Sequence, residues 1–357
     1  MQHKKNILKK LADIINPYSW LTTFRNIAFD RGWIKSSSFD LPIICIGNIT
    51  VGGTGKTPHT EYLIRLLEQQ EQVAVLSRGY GRKSKGYIKA DAESAMVLIG
   101  DEPHQIKSKF PGITVAVCEK RVTGVENLLK EKDKPSVILL DDAFQHRHIK
   151  AGLYILLIDS NRPIFNDCIL PFGRLRESSR GAQRADVVIF TKCNKADAQQ
   201  MAHLKEQLQT KEGTPVFFSM VEYGTPYPVF EKADISTPAI DSESNILLLT
   251  GIAKPEPLKK EIEKRGAKVT LLQYADHHNF SEKDFAEIAK SFAAIKGKKF
   301  ILTTEKDATR LRGASSLPQS IKESIYALPI EIKILNDEEN MFNQIIKDYV
   351  EKNRRNR

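Results

Sequence analysis

Residues 43–58 read IICIGNITVGGTGKTP, and this order of residue types decides the fold. The aliphatic run predicts a buried strand, the glycines a tight loop, and Lys56 and Thr57 the start of a helix. In such a loop Thr50, Val51, Gly52, Gly53, Thr54 and Gly55 turn backbone N–H groups inward toward phosphate oxygens, and the helix N-terminus adds positive potential. Lys56 is expected to neutralise β- and γ-phosphates and Thr57 to supply a hydroxyl to Mg2+. The strict G-x-x-x-x-G-K-[ST] pattern is missed by one residue, because Thr50 stands where its first glycine belongs. The strand, loop and helix context compensates.

A phosphate loop of this kind calls for a carboxylate at the end of a neighbouring strand. Residues 137–142, VILLDD, supply one, with Asp141 the first choice for the metal and Asp142 beside it. Further apolar runs at 73–76, 96–99, 114–117, 154–158 and 187–190 alternate with helix-like stretches. Together they predict an α/β fold of the P-loop NTPase type, with a doubly wound, mostly parallel sheet. Residues 223–244 lack periodicity and hold Pro226, Pro228 and Pro238, after which a second α/β series begins at 245–250 and continues at 269–272 and 300–303. The expected organisation is a helical arm over 1–40, a kinase core over 41–225 and a smaller α/β domain over 226–357, closing in a helix at 338–350.

The chain has 357 residues and a formal net charge of +10, with 41% hydrophobic and 27% charged residues. That composition excludes a mini-protein and a disordered or fibrous chain, and it favours anionic partners. No apolar run reaches the length of a membrane-spanning helix, and the first ten residues lack the features of a signal peptide, so a cytoplasmic location is expected. Cys45, Cys118, Cys168 and Cys193 are widely spaced without a C-x-x-C pair, which points to buried reduced thiols. In residues 4–16, Ile7, Leu8, Leu11, Ile14 and Ile15 form a helical stripe opposite Lys5, Lys9 and Asp13, with Pro17 as the stop. Trp20, Phe24, Phe29 and Trp33 follow at irregular spacing, and residues 1–40 carry seven basic and three acidic side chains. This combination suits a membrane interface; a helical arm packed on the domain is the plainer alternative.

Three uses of the nucleotide site compete. A dimerising P-loop ATPase carries Lys-Gly-Gly-x-Gly-Lys, and Val51 replaces its leading lysine. A GTP switch is prompted by NKAD at 194–197, which matches the guanine-reading pattern but starts several residues beyond the strand ending near Phe190. A kinase for a small or lipid-borne acceptor is favoured by what stands at the other strand ends. Asp101 and Glu102 of GDEP follow the 96–99 run, where a carboxylate is placed to receive the proton of an attacking hydroxyl. Ser77 and Arg78 of LSRGYGR, Arg121 of CEKR, Gln145, His146 and Arg147 of DDAFQHRH, and Arg176 and Glu177 of LPFGRLRE recur at similar junctions. The basic members are expected to stabilise transferring charge or to grip an acceptor phosphate. Asp276, His277 and His278 of ADHHNF fit a proton acceptor with its orienting partner, or a structural turn; TEKD at 304–307 fits a helix cap or a substrate contact.

Taken in order, GNITVGGTGKTP, LSRGYGR, GDEP, LLDDAFQHR, LPFGRLRES, TGIAKP, ADHHNF and TEKD resemble the tetraacyldisaccharide 4'-kinases of lipid A biosynthesis, from about residue 10 to residue 335. The resemblance implies transfer of the γ-phosphoryl group of ATP, with Mg2+, to the 4'-hydroxyl of an acylated glucosamine disaccharide 1-phosphate. It implies a peripheral protein at the cytoplasmic face of the bacterial inner membrane, touching the anionic surface through residues 1–35, with no nucleic acid and no obligate protein partner. By motif position, Asp101 is the implied base and His277 its partner, with the smaller domain contributing to the active-site cleft. Lys56, Arg121 and Arg176 are implied in catalysis, and Thr57, Asp141, Asp142 and Glu177 near the metal. Ser77, Arg78, Glu102, Gln145 and His146 fall on further active-site positions. Phe172 and Arg174 stand where a small residue and a proline are commoner in the family.

Overall fold

Five buried residues in succession make Ile43–Gly47 the strand β1, and a continuous apolar run is what a parallel strand needs when both its faces are covered. The computed structural model describes residues 16–91, 94, 96–194, 196–230, 237–276, 278–312 and 317–354. The strands that follow are β2 (Val73–Ser77), β3 (Ile88–Ala90), β4 (Thr114–Val117), β5 (Val137–Asp141), β6 (Leu153–Asp159), β7 (Val187–Thr191) and β8 (Val216–Tyr223). Successive β1 residues point to opposite layers: Ile43 and Cys45 join one apolar cluster with Ile138 and Leu140, while Ile44 and Ile46 join the other with Val137 and Leu139. That alternation is the signature of a sheet covered by helices on both sides.

The second compact unit comprises residues 222–331. Its strands are β9 (Tyr227–Pro228), β10 (Asn245–Thr250), β11 (Lys268–Gln273), β12 (Lys299–Thr304) and β13 (Ile325–Leu328), in the order β11-β10-β12-β13-β9, parallel except for β9. The chain then returns to the first sheet as β14 (Ile330–Ile334). Among the described residues that sheet runs β14-β8-β7-β6-β1-β5-β2-β4-β3. The expected second domain over 226–357 is therefore too long. Residues 332–357 belong to the first unit, because the helix Glu339–Arg354 inserts Phe342, Ile346 and Val350 into the core beside Ile44 and Ile46. Tyr349 adds a hydroxyl that accepts from Ile43 N–H and donates to its carbonyl, both at 3.0 Å.

One local expectation is corrected. Residues 96–99 form a helical turn, not a strand: Val97 and Leu98 are exposed and only Ile99 is buried, so the run has no sheet face to fill. The edge is taken instead by β3, antiparallel to β4. Pro17 opens the helix Pro17–Asp30, with Asn16 as its cap, because the missing N–H of proline costs nothing in the first turn. The stripe expected over 4–16 lies outside the described residues except for Asn16. All four cysteines are buried and unpaired.

Gly47 ends β1 where Phe144 crosses it. A Cβ there would lie 2.7 Å from Phe144 Cβ and 2.9 Å from its backbone nitrogen. Gly47→Ala is therefore expected to destabilise the fold by about 1–3 kcal/mol through overpacking. Thermal unfolding should show a midpoint lower by a few degrees; an unchanged midpoint would mean that the Phe144 turn yields freely.

Candidate active site

The loop between β1 and the helix Lys56–Leu67 is held from several directions. Gly55 caps the helix at φ 85°, a left-handed conformation that suits glycine, and its carbonyl lies 2.7 Å from His59 Nδ1. Asn48, buried under the loop, donates from Nδ2 to Thr54 Oγ at 2.7 Å. Val51 N–H donates to the Arg174 carbonyl at 2.8 Å, Arg176 N–H donates to the Ile49 carbonyl at 2.8 Å, and Thr50 bridges Leu175. The LPFGRLRES segment thus lies along the loop, and that places Arg176. Lys192 Nζ reaches the Gly53 carbonyl at 2.5 Å.

At the end of β5 the two carboxylates diverge. Asp141 is fully buried, with one oxygen accepting from Thr60 Oγ at 3.3 Å and the other, Oδ2, without a partner among the described residues. Asp142 turns away at φ 48°. Lys56 Nζ stands 3.7 Å from its Oδ1, and Arg176 Nη1 stands 3.4 Å from both its oxygens. Burial pushes the Asp141 carboxyl up to about 7, with Glu102 and Asp142 adding to the rise and Lys56 and Arg121 opposing it. Arg121 is itself 2% exposed, bonded to the carbonyls of Cys118 at 2.7 Å and Asp141 at 3.3 Å. Burial draws it down to about 10 and Arg78 adds to the fall, while Asp141 and Asp142 oppose it, so it remains a cation at neutral pH.

Asp141 with its buried free oxygen, Asp142 beside it and the Thr57 hydroxyl at the helix start are the oxygen donors available at this loop, although no cluster of three metal-binding side chains occurs among the described residues. Such a set fits a divalent cation that takes its remaining ligands from phosphate and water. The carboxyl raised in the folded state also has a consequence for stability. Between pH 3.8 and about 7 the native protein holds a proton on Asp141 that the unfolded chain releases, so this group makes the fold less stable as pH rises through that window. Asp141→Asn, measured without nucleotide, should raise the unfolding midpoint at pH 8 and leave it near the parent value below pH 4. An equal fall at both pH values would contradict the burial argument.

Asp101 and Glu102 open the helix Asp101–Lys109 rather than ending a strand. The backbone before them is pressed against the LSRGYGR turn: Gly100 has φ 90°, and a Cβ there would lie 2.8 Å from the Tyr80 carbonyl. Ser77 is buried at the end of β2 and accepts from Gly79 N–H at 3.4 Å, while Arg78 beside it is exposed. Arg78, Arg121 and Arg25 act electrostatically on His146. Burial first, then these cations, push its imidazole down to about 4, so His146 is neutral near pH 7 and is not the basic group expected. The Gln145 carbonyl accepts from Arg25 Nη2 at 2.7 Å. Arg147 turns away to the helix Pro17–Asp30, donating to the Asn26 carbonyl and to Asp30.

Glu177, expected near the metal, has both oxygens occupied: Arg184 and Asn26 each donate to it at 2.7 Å. It ties the same helix to the loop at 168–177. Asp197 of NKAD caps the helix Ala198–Gln207 by accepting from Gln200 N–H; Lys195 lies outside the described residues. In the second unit Thr304 caps the helix Glu305–Leu311, so TEKD is a cap. His278 stacks on Tyr274 and bonds Asp284 at 3.0 Å, and Asp276 pairs with Lys306 at 3.1 Å. His277 lies outside the described residues. Asn48, Thr60 and Lys192 were not foreseen. An asparagine between strand and loop in GNIT was the available signal for the first, and nothing in the sequence marked the other two.

A sequence profile described as tetraacyldisaccharide-1-P 4'-kinase matches residues 9–351. The chain belongs to the tetraacyldisaccharide 4'-kinase family. A tetraacyldisaccharide 4'-kinase of Bacteroides fragilis (strain YCH46) is 48% identical over 97% of this chain and 95% of its own. One from Flavobacterium johnsoniae is 43% identical over 98% and 99%. A crystal structure of LpxK from Aquifex aeolicus in complex with ATP superposes with a TM-score of 0.72 at 29% identity, covering 93% of this chain and 96% of that one. The loop, the paired aspartates and the arginines described above thus lie within a kinase fold shared along nearly the whole chain.

Proposed function

We infer that this chain catalyses ATP-dependent phosphorylation of the 4'-hydroxyl of a tetraacyldisaccharide 1-phosphate, giving the 1,4'-bisphosphate. The observation that carries the reading is Lys56 and Arg176 converging on Asp142, beside the buried Asp141, at the mouth of a phosphate loop in a member of this family. The loop N–H groups and Lys56 hold the β- and γ-phosphates. Thr57, Asp141 and Asp142 would hold Mg2+, which would neutralise charge on the phosphates, and Glu177 serves as an anchor for the loop that carries Arg176. Asp101 accepts the proton of the 4'-hydroxyl as its oxygen bonds to the γ-phosphorus, and the bond to ADP breaks in line. Arg121, buried and charged, and Arg176 and Arg78 balance the charge that develops. His277 is the proposed orienting partner of Asp101, and neutral His146 a hydrogen-bonding rather than ionic neighbour.

The acceptor is lipid, and the helix Pro17–Asp30 supports a peripheral contact. Trp20, Leu21 and Phe24 are each more than 60% exposed there, with Trp33 beyond it and Arg25 and Arg31 nearby. Among the described residues no helix is long and apolar enough to cross a membrane. We place the working site at the cytoplasmic face of the inner membrane, with the apolar side chains at the headgroup level. To test the function, the protein in detergent micelles is given γ-labelled ATP or GTP, Mg2+ and the acylated disaccharide 1-phosphate. Label from ATP should appear in the lipid. Label released only as inorganic phosphate, above all from GTP, would contradict the reading.

A further inference from the structure

Lys192 follows β7 directly, and its backbone sits at φ 62°, a conformation that a β-carbon disfavours. The neighbouring backbone fixes it there. Ser160 N–H donates to the Thr191 carbonyl at 3.0 Å, Ser160 Oγ donates to the Lys192 carbonyl at 3.2 Å, and Cys193 N–H donates to the Ser219 carbonyl at 2.9 Å. The side chain spans from Asp159 Oδ2, at 2.8 Å, to the Gly53 carbonyl in the middle of the phosphate loop, at 2.5 Å. Gly53 is otherwise unsupported at its α-carbon, where a Cβ would meet nothing within 4 Å. The other ties on the loop act to either side of Gly53, on Thr50, Val51, Thr54 and Gly55. Asp159 is held in turn at the end of β6 by Asn161, whose N–H and side-chain amide donate at 3.0 and 3.2 Å. Burial raises its carboxyl, but the Lys192 hydrogen bond and charge outweigh that and keep it below the usual carboxylate range.

We propose that Lys192 is a positioning residue of the nucleotide site, clamping the Gly53 carbonyl so that the loop keeps its N–H groups aimed at the phosphates. Strained backbone persists where the surrounding structure over-determines it and often at functional sites, and here the strain brings an ammonium to the loop. Asp159 orients that ammonium, and the charge adds positive potential where the polyphosphate lies. The inference rests on the reading of this loop as the ATP site.

Steady-state kinetics on the full chain in micelles, with ATP varied at saturating acceptor, tests it through Lys192→Met, Lys192→Arg and Asp159→Asn. Lys192→Met should raise the KM for ATP about tenfold while kcat stays within about threefold, the pattern of lost uniform binding. Lys192→Arg should recover most of the loss, and Asp159→Asn should move KM in the same direction by less. A normal KM in Lys192→Met would overturn the proposal, as would a fall in kcat and thermal midpoint together that arginine does not rescue. Lys56→Ala is run alongside. If it is inactive while Lys192→Met is normal, the nucleotide reading stands and the clamp falls; if Lys56→Ala is itself normal, both fall.

Discussion

Asp101→Ala is expected to lower kcat by about two to four orders of magnitude, the range for removing a positioned general base, with little change in affinity for ATP. Asp101 stands in the first turn of the helix Asp101–Lys109 and is not part of the phosphate loop. Its removal therefore leaves Lys56, Gly55 and the Asp141–Asp142 pair in place. Nucleotide binding measured by calorimetry should be near the parent value while transfer to lipid collapses. Asp101→Asn should be nearly as slow, because an amide keeps the shape and cannot take the proton. A near-normal rate in either variant would remove Asp101 from the role of base.

Lys56→Ala is expected to damage both rate and binding. Its side chain, only 11% exposed, brings the ammonium to within 3.7 Å of Asp142, and with Arg121 this charge opposes the upward drift of the Asp141 carboxyl. Without it the phosphates lose a charge-assisted partner, and the proton on Asp141 is held more firmly, which disfavours the ionised form a cation needs. The rate should fall by about 10²–10³, as when one electrostatic contact to developing charge is deleted, and ATP affinity by about tenfold. Lys56→Arg should rescue binding better than rate, since a fork-shaped guanidinium cannot occupy the place of a compact ammonium. Unaltered ATP affinity in Lys56→Ala would mean that the phosphates lie elsewhere.

Much of this site was legible because its chemistry is local. A strand, a glycine loop and Lys-Thr lie within 16 consecutive residues, and VILLDD carries both the strand and its carboxylates. What escaped reading depends on distant partners. The run at 96–99 has strand-like composition, yet β3 occupies the edge and leaves Val97 and Leu98 in solvent. Glu177 follows Arg176 in sequence, but Asn26 lies 151 residues away and takes one of its oxygens. His146 looked basic until burial among three arginines was counted. Lys192 belongs to no motif in the sequence; only the fold shows that its ammonium lands on Gly53. The last helix was recognised as a helix, but its place in the first unit depends on Phe342, Ile346 and Val350 meeting β1 across nearly the full length of the chain.

The most direct test of the central claim is the position of the new phosphate. Product from a preparative reaction with ATP, examined by phosphorus–proton correlation NMR, should show a second phosphomonoester coupled to the 4'-proton of the distal sugar, with the 1-phosphate unchanged. A diphosphate at the anomeric carbon, or a phosphomonoester on any other hydroxyl, would contradict the account.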